Sequence, residues 1–158
     1  MDLFKEAFDL FAKKWALLTA GDTAGFNTMT IGWGALGTLW GRSVVTVYVK
    51  PSRYTHDFME KGELFTVSFY PEEYRKDLGT LGKLSGRDTD KVAQTSLTPV
   101  EAAGSVSFRE AEVTLVARKI YSQELDTAKM PKEVVERNYS TEAPHTMYVG
   151  EIVEIIRK

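Results

Sequence analysis

Short runs in which apolar and polar residues alternate constrain the fold of this chain more than any other feature. The alternation is clearest in residues 43–50, where Val45, Val47 and Val49 occupy every second position. Successive side chains of a β-strand point to opposite faces, so this period predicts strands with one apolar face. The chain is therefore predicted to be mainly β, an antiparallel barrel or sandwich with some helix. The other strands are predicted at 26–33, at 64–70, in two runs over about 106–123, and at 147–156.

Helices are predicted at the N-terminus and in the connections between strands. Phe4, Phe8, Phe11 and Trp15 recur at steps of four, three and four, which is the spacing of one helical face. We expect this aromatic stripe to pack on the sheet. Glycines and charges without periodicity predict a loop over residues 79–91. Shorter helices are predicted after Thr55, from Pro71 and around residues 131–138.

Composition excludes several classes of protein. A length of 158 residues with 43% hydrophobic residues predicts one domain over 1–158. The 20 Lys and Arg against 22 Asp and Glu give a net charge of −2, which argues against a nucleic-acid partner. Zero cysteines exclude disulfides and thiol catalysis, and two histidines make a metal site improbable. No apolar stretch approaches the ~18 residues of a membrane helix, so we predict a soluble cytoplasmic protein.

One glycine motif matches a dinucleotide-binding fingerprint but does not indicate that fold here. Residues 32–37 read Gly-Trp-Gly-Ala-Leu-Gly, a match to the G-x-G-x-x-G fingerprint of dinucleotide-binding folds, and they follow a predicted strand. A Rossmann unit needs a crossover of about ten residues or more after the glycines. The next predicted strand begins near Ser43, about six residues later. We therefore interpret the glycines as permitting a tight, flat backbone around Trp33.

A phosphate site is suggested where the strand ending near Lys50 gives way to a helix. Ser52, Arg53 and Thr55 combine two hydroxyls and a guanidinium with the free N–H groups of a helix start. The simpler alternative is that Thr55 only caps the helix and Arg53 is solvated. The residues alone leave both interpretations open.

Two further polar segments are candidates for a ligand site. In the strand over 27–33, the backbone at Gly32 offers a close approach to a planar ligand, Asn27 and the threonines offer hydrogen bonds, and Trp33 offers apolar area. An ordinary core strand is the alternative. Residues 85–91 add a cluster with two cations, for which a solvated turn is the alternative.

These stretches together, and in this order, resemble the flavin reductase-like family of FMN-binding split barrels, including flavoredoxin-type proteins. The resemblance extends from about Trp15 to Ile156. The matching stretches are Asn-Thr-Met-Thr-Ile-Gly-Trp-Gly (27–34), Pro-Ser-Arg-Tyr-Thr (51–55), Phe-Thr-Val-Ser-Phe (65–69), Ser-Gly-Arg-Asp-Thr-Asp-Lys (85–91) and His-Thr-Met-Tyr-Val-Gly-Glu-Ile (145–152).

The resemblance implies an antiparallel Greek-key barrel of about six strands with peripheral helices, a homodimer, and FMN near the subunit interface. FAD or riboflavin are alternative flavins, and NADH or NADPH is the implied reductant. His145 is the implied contact for the nicotinamide or the acceptor. The implied flavin-binding residues are Asn27, Thr28, Met29, Thr30, Gly32, Trp33 and Gly34 beside the ring, with Ser52, Arg53, Tyr54, Thr55, Ser85 and Lys91 around the phosphate.

The chain departs from the flavoredoxin type at two places. Members of that type often carry cysteines where this sequence has Leu81 and Ala117. Their absence argues against a thiol-assisted mechanism but not against the flavin, which carries the redox chemistry. Two functions remain: an NAD(P)H-dependent flavin reductase-like enzyme, or a flavin carrier reduced by a partner protein. The near-balanced charge disfavours a third, an oligonucleotide-binding barrel.

Overall fold

The computed structural model describes residues 3–158, and most of this part of the chain lies in one curled antiparallel sheet. Its order is β2-β1-β5-β8-β9-β4-β3, and β6 and β7 form a separate pair. This confirms the mainly β, antiparallel fold, with seven strands in the main sheet. The strands are β1 Ala16–Asp22, β2 Gly25–Ile31, β3 Gly34–Leu39, β4 Arg42–Val49, β5 Leu64–Phe69, β6 Pro99–Ala102, β7 Ser105–Phe108, β8 Val113–Glu124 and β9 Thr146–Arg157.

The two edges of the sheet are consecutive in the chain. β2 and β3 occupy opposite ends of the strand order, yet only Gly32 and Trp33 separate them. The sheet therefore curls until its edges approach at this point, and no ladder pairs β2 with β3 among the described residues. The result is a barrel that is split beside Trp33.

The helices are short and cover the outside and one end of the barrel. Within the described residues none has the length and apolar character that crossing a bilayer requires. In α2, Met59 joins the barrel core, and in α3, Leu78 and Leu81 pack against Leu17 on the outer face of β1. The helices are α1 Leu3–Ala12, α2 Tyr54–Lys61, α3 Arg75–Lys83 and α4 Lys132–Asn138.

The predicted aromatic stripe of α1 is wrong in part. Phe11 is buried and packs edge-on against Phe69 at 5.5 Å, but Phe4 and Phe8 are 77% and 72% exposed. The helix ends at Ala12, before Trp15, and only its last turn reaches the core. The sheet thus contacts one part of the stripe.

Three strands and part of one helix were not predicted. β1, β3 and β6 are absent from the predicted set, and β3 fills most of the interval in which we placed only a glycine-rich connection. A two-residue turn at Trp40 and Gly41, with φ of 53° and 71°, joins β3 to β4. The predicted loop over 79–91 is wrong at its start, because α3 continues to Lys83.

Candidate functional site

A small polar cavity lies between the start of α2 and the segment that follows α3. Its volume is about 270 Å³. We call it the cation pocket, because Arg53, Lys83 and Lys91 all line it. The remaining lining residues are Asn27, Met29, Ser52, Tyr54, Thr55, Leu84, Ser85, Gly86 and Glu142.

Lys91 is a buried cation with unusual partners. Its side chain belongs to a residue that is 3% exposed, and Nζ donates to the backbone oxygens of Leu81 at 2.9 Å and Leu84 at 3.1 Å. No carboxylate lies within ion-pair distance of it in the part of the chain that the structure describes. Burial, followed by the nearby charge of Arg53, lowers the pKa of Lys91 from 10.5 to about 8. The carbonyls orient the ammonium but leave its charge uncompensated.

Arg53 brings a second cation to the same cavity. It is half-buried, and its guanidinium donates to the backbone oxygen of Gly82 at 3.2 Å. Burial lowers the pKa of Arg53, and the charge of Glu142 opposes that effect. Glu142 itself is held by a hydrogen bond from Lys50. Two desolvated cations therefore share one cavity, a combination that favours an anion.

The first turn of α2 adds donors to this cavity. Arg53 is the N-cap residue, its backbone is extended, and no side chain caps the helix. The alternative in which Thr55 serves as the cap is thus excluded. Instead, Oγ1 of the fully buried Thr55 accepts a hydrogen bond from Nδ2 of Asn27 at 2.8 Å, which leaves the hydroxyl hydrogen free to donate. The uncapped N–H groups of a helix start are natural donors to an anion.

The loop after α3 is tied to the start of α2 by Arg87. Its guanidinium donates to the backbone oxygen of Ser52 at 3.0 Å, and its backbone N–H donates to Oγ of Ser85 at 3.2 Å. Gly86 packs directly on Asn27, since a Cβ at Gly86 would lie 2.1 Å from Oδ1 of that residue. Any larger residue at position 86 would displace the Asn27 amide.

Only alternate residues of β2 face the cation pocket. Asn27 and Met29 line it, whereas the hydroxyls of Thr28 and Thr30 form hydrogen bonds with other groups of the protein. Thr28 Oγ1 lies 2.8 Å from Thr19 Oγ1, and Thr30 Oγ1 donates to the Leu78 oxygen at 2.5 Å. Thr28 and Thr30 therefore have only backbone groups to offer a ligand on that side.

The two glycines beside Trp33 have packing roles. A Cβ at Gly34 would lie 2.5 Å from the Phe11 ring, so the end of α1 requires a glycine there. At Gly32 a Cβ would lie in ordinary contact, 3.6 Å from the Trp15 ring. The sequence predicted that these glycines keep the backbone flat around Trp33. In the structure it is the Phe11 ring that leaves no room for a side chain at Gly34.

A second, apolar cavity of about 230 Å³ surrounds His145. We call it the aromatic cavity. Its Trp33 ring is 56% exposed and lies 5.2 Å from the imidazole, and Nδ1 of His145 lies 2.8 Å from the Tyr139 hydroxyl. Burial, followed by the charge of Lys50, lowers the pKa of His145, so the imidazole is neutral at pH 7. Tyr48 and Leu125 complete the lining.

Glu142 and Lys50 link the two cavities electrostatically. The charge of Glu142 acts on the pKa of both Arg53 and His145. Sequence reasoning missed Glu142 and Tyr139, because they lie at and after the end of α4 in a segment without a motif. His56, which follows Thr55 in the first turn of α2, contacts Oγ1 of Thr146 at 3.1 Å and does not line the cation pocket.

The cavities together suit a ligand that is anionic at one end and flat and apolar at the other. The cation pocket supplies desolvated positive charge, and the aromatic cavity supplies ring surfaces. From Asn27 to Trp33 the chain can extend about 20 Å, at roughly 3.3 Å per residue. That distance accommodates a phosphate, a flexible chain and a ring laid end to end.

Solved structures with this fold come from several organisms. Flavoredoxin from Methanosarcina acetivorans superposes with a TM-score of 0.71 and 21% identity, over 92% of this chain and 68% of that one. The styrene monooxygenase flavin reductase from Pseudomonas putida S12 gives a TM-score of 0.68 and 19% identity, over 98% of this chain and 85% of that one. These likenesses show that the fold is the flavin reductase-like split barrel.

Sequence comparison assigns the family. A curated relative from Archaeoglobus fulgidus, described as an uncharacterized protein, is 28% identical over 131 residues. The match covers 82% of this chain, which spans 64% of that relative's length. The sequence model of the flavin reductase like domain matches residues 8–158. The chain therefore belongs to the flavin reductase-like family.

Proposed function

We propose that this chain is a cytoplasmic FMN-binding oxidoreductase that takes hydride from NADH or NADPH. Its electrons would pass to free flavin, oxygen, an iron complex or a partner protein. The observation that carries the proposal is the buried Lys91 beside Arg53, with no carboxylate in ion-pair contact with Lys91 among residues 3–158. Within this family, the anion that suits such a pair is the phosphate of FMN.

The residues of the cation pocket fit a phosphate. Lys91 has one ammonium hydrogen left after its two carbonyl contacts, and the Arg53 guanidinium has further donors. The N–H groups at the start of α2 and the hydroxyl of Thr55 add neutral donors. A phosphate dianion would compensate both cations and make charge-assisted hydrogen bonds with them.

The aromatic cavity suits the reacting end of the flavin and its partner. When bound, a flavin would accept hydride from a reduced nicotinamide and pass electrons on. Trp33 provides an exposed flat surface, and neutral His145, oriented by Tyr139, can share a hydrogen bond with a carbonyl or amide group. In this proposal the side chains bind and orient the reactants, and none has to act as a general acid.

The test of this function is an anaerobic titration of purified protein reconstituted with FMN. We expect the protein to retain yellow colour through gel filtration and to lose it when NADH or NADPH is added. If only dithionite bleaches the colour, the protein is a flavin carrier reduced by another protein. If FMN is not retained, the proposal is wrong at its first step.

We also propose that the protein is a homodimer. The edge strand β3 is exposed at its four central residues, with Leu36 48% exposed, and Trp40 and Tyr121 form an exposed edge-to-face pair at 6.4 Å. An apolar edge strand of this kind tends to be covered by a second chain. Light scattering should give twice the chain mass of 17.7 kDa, and Leu36→Glu should shift it towards the monomer. A wild-type mass near 17.7 kDa would contradict the dimer.

A further inference from the structure

Lys91 carries an amine whose nucleophilic chemistry the proposed function does not use. The residue is 3% exposed, yet it lines both the cation pocket and a second cavity of about 880 Å³ beside the β1–β2 turn. Its side chain therefore borders open space inside the protein, although almost none of it reaches the outer surface. A small solute in either cavity is a neighbour of this lysine.

Two backbone oxygens orient the Lys91 nitrogen in both of its protonation states. Nζ donates to the oxygens of Leu81 at 2.9 Å and Leu84 at 3.1 Å. The ammonium has three hydrogens, so one remains for an anion. The neutral amine has two hydrogens, so it keeps both contacts and its lone pair takes the remaining tetrahedral position. Loss of one proton thus converts a fixed donor into a fixed nucleophile.

The surroundings of Lys91 favour the neutral amine at moderate pH. Burial, followed by the charge of Arg53, lowers its pKa to about 8, and the exposed Lys83 also lines the cation pocket. Glu142 is the one carboxylate among the described residues that line this pocket. The charged residues that line the second cavity are Arg87, Asp88 and Asp90. At pH 7.5 the neutral fraction of Lys91 is on the order of 100-fold larger than that of a lysine with the ordinary pKa of 10.5.

We propose that Lys91 is a modification site, acylated by small acyl phosphates that bind with their phosphate at Arg53 and the start of α2. This inference rests on the part of the proposed function that places a phosphate in the cation pocket. The lone pair of Nζ attacks the acyl carbon and forms a C–N bond. The bond from that carbon to the bridging oxygen breaks, and the phosphate leaves with its electron pair and takes the proton that the nitrogen loses. The products are an amide at Lys91 and inorganic phosphate.

The groups that hold the phosphate lie in the same cavity as Lys91. They are the Arg53 guanidinium, the uncapped N–H groups of α2 and the Thr55 hydroxyl. In an acyl phosphate one oxygen joins the acyl carbon to phosphorus, so a phosphate bound there brings that carbon beside the amine. Holding the two reactants together raises the rate of the step. Arg53 also stabilises the negative charge that grows on the departing phosphate.

Acylation would switch off phosphate binding in this pocket. The amide carries no charge, and the acyl group occupies space in which the phosphate lies. We therefore expect the acylated protein to lose FMN affinity at least 10-fold and to keep its affinity for riboflavin, which has no phosphate.

The test incubates the ligand-free protein with acetyl phosphate at pH 7.5 and measures the rate of acetylation at each lysine by peptide mass spectrometry. Because of its larger neutral fraction, Lys91 should react at least about tenfold faster than Lys76, which is exposed on α3. Inorganic phosphate should slow the reaction of Lys91 and not that of Lys76. Arg53→Ala should remove the preference for Lys91, and Arg109→Ala, at an exposed turn, is the matched control that should keep it.

A reagent without a phosphate separates guidance by the pocket from general reactivity of the amine. N-hydroxysuccinimidyl acetate transfers the same acetyl group and should show a smaller preference for Lys91 than acetyl phosphate does. Equal preference with both reagents, equal rates at Lys91 and Lys76, or no effect of inorganic phosphate would each overturn the inference.

FMN retention by the unmodified protein distinguishes this inference from the proposed function. If FMN is retained and Lys91 is not preferentially acetylated, the proposed function stands and the modification site is wrong. If Lys91 is acetylated and inorganic phosphate protects it, but FMN is not retained, the modification site stands and the proposed function fails.

Discussion

Substitution of Lys91 by methionine is expected to weaken FMN binding about 100-fold while the ligand-free protein stays about as stable as the wild type. Removing one partner of a buried, hydrogen-bonded charge pair costs about 2–5 kcal/mol of binding free energy, and each 1.4 kcal/mol is tenfold in Kd. Methionine fills nearly the same volume without the charge. The measurements are FMN affinity by fluorescence and the free energy of unfolding by denaturant, both on ligand-free protein.

Two opposing effects keep the stability of this variant close to that of the wild type. The fall in the pKa of Lys91 to about 8 corresponds to about 3 kcal/mol spent on burying the charge, which methionine does not incur. Against this, the oxygens of Leu81 and Leu84 lose their donor, at about 1 kcal/mol or more each. A structural lysine would behave in the opposite way, with a less stable variant and unchanged FMN affinity. Lys76→Met, at an exposed position on α3, is the control for loss of a positive charge.

The pH dependence of binding checks the same assignment. FMN needs the protonated lysine, so its affinity should fall as pH rises above about 8, while riboflavin affinity should not change and Lys91→Met should lose the dependence. Stability of the ligand-free protein moves the other way. Between pH 8 and 10.5 the unfolded chain binds more protons at this lysine than the folded one, so Lys91 destabilises the fold fully below pH 8 and progressively less above it.

Two of the three strands that were missed, β1 and β3, lack the alternation of one buried and one exposed face. In β1 every residue from Ala16 to Ala20 is buried, because the barrel core covers one face and residues of β7 and α3 cover the other. A short continuous apolar run does not distinguish a strand from a buried helix segment. In β3 both faces are exposed or half-exposed, so no alternation exists to detect. In β1 and β3 it is therefore the tertiary packing, and not the local sequence pattern, that determines which residues are buried.

The candidate site also has features that the sequence predicted and features that it did not. The sequence predicted Arg53, Thr55 and Lys91 as ligand-site residues, because cations and hydroxyls occur at the start of a helix and in a polar loop. The structure places all three around one cavity. The sequence did not indicate that Lys91 is buried without a carboxylate, a property of the packing of α3 on β2. Glu142 reaches the cation pocket from a segment distant in sequence, and no local motif marks it.

Substitution of Arg53 by alanine is expected to weaken FMN binding about 30-fold or more and to leave riboflavin binding unchanged, because only the phosphate contacts the guanidinium. Arg109→Ala, at an exposed turn outside the cation pocket, is the matched control and should change neither. Arg53→Ala should also change the pH dependence of FMN binding. The charge of Arg53 helps to lower the pKa of Lys91, so its removal should move the midpoint for loss of FMN affinity above pH 8, towards the ordinary 10.5 of a lysine. A 30-fold loss with an unmoved midpoint would mean that the charge of Arg53 does not lower the pKa of Lys91. Equal FMN retention in Arg53→Ala and Arg109→Ala would mean that Arg53 does not contact the phosphate.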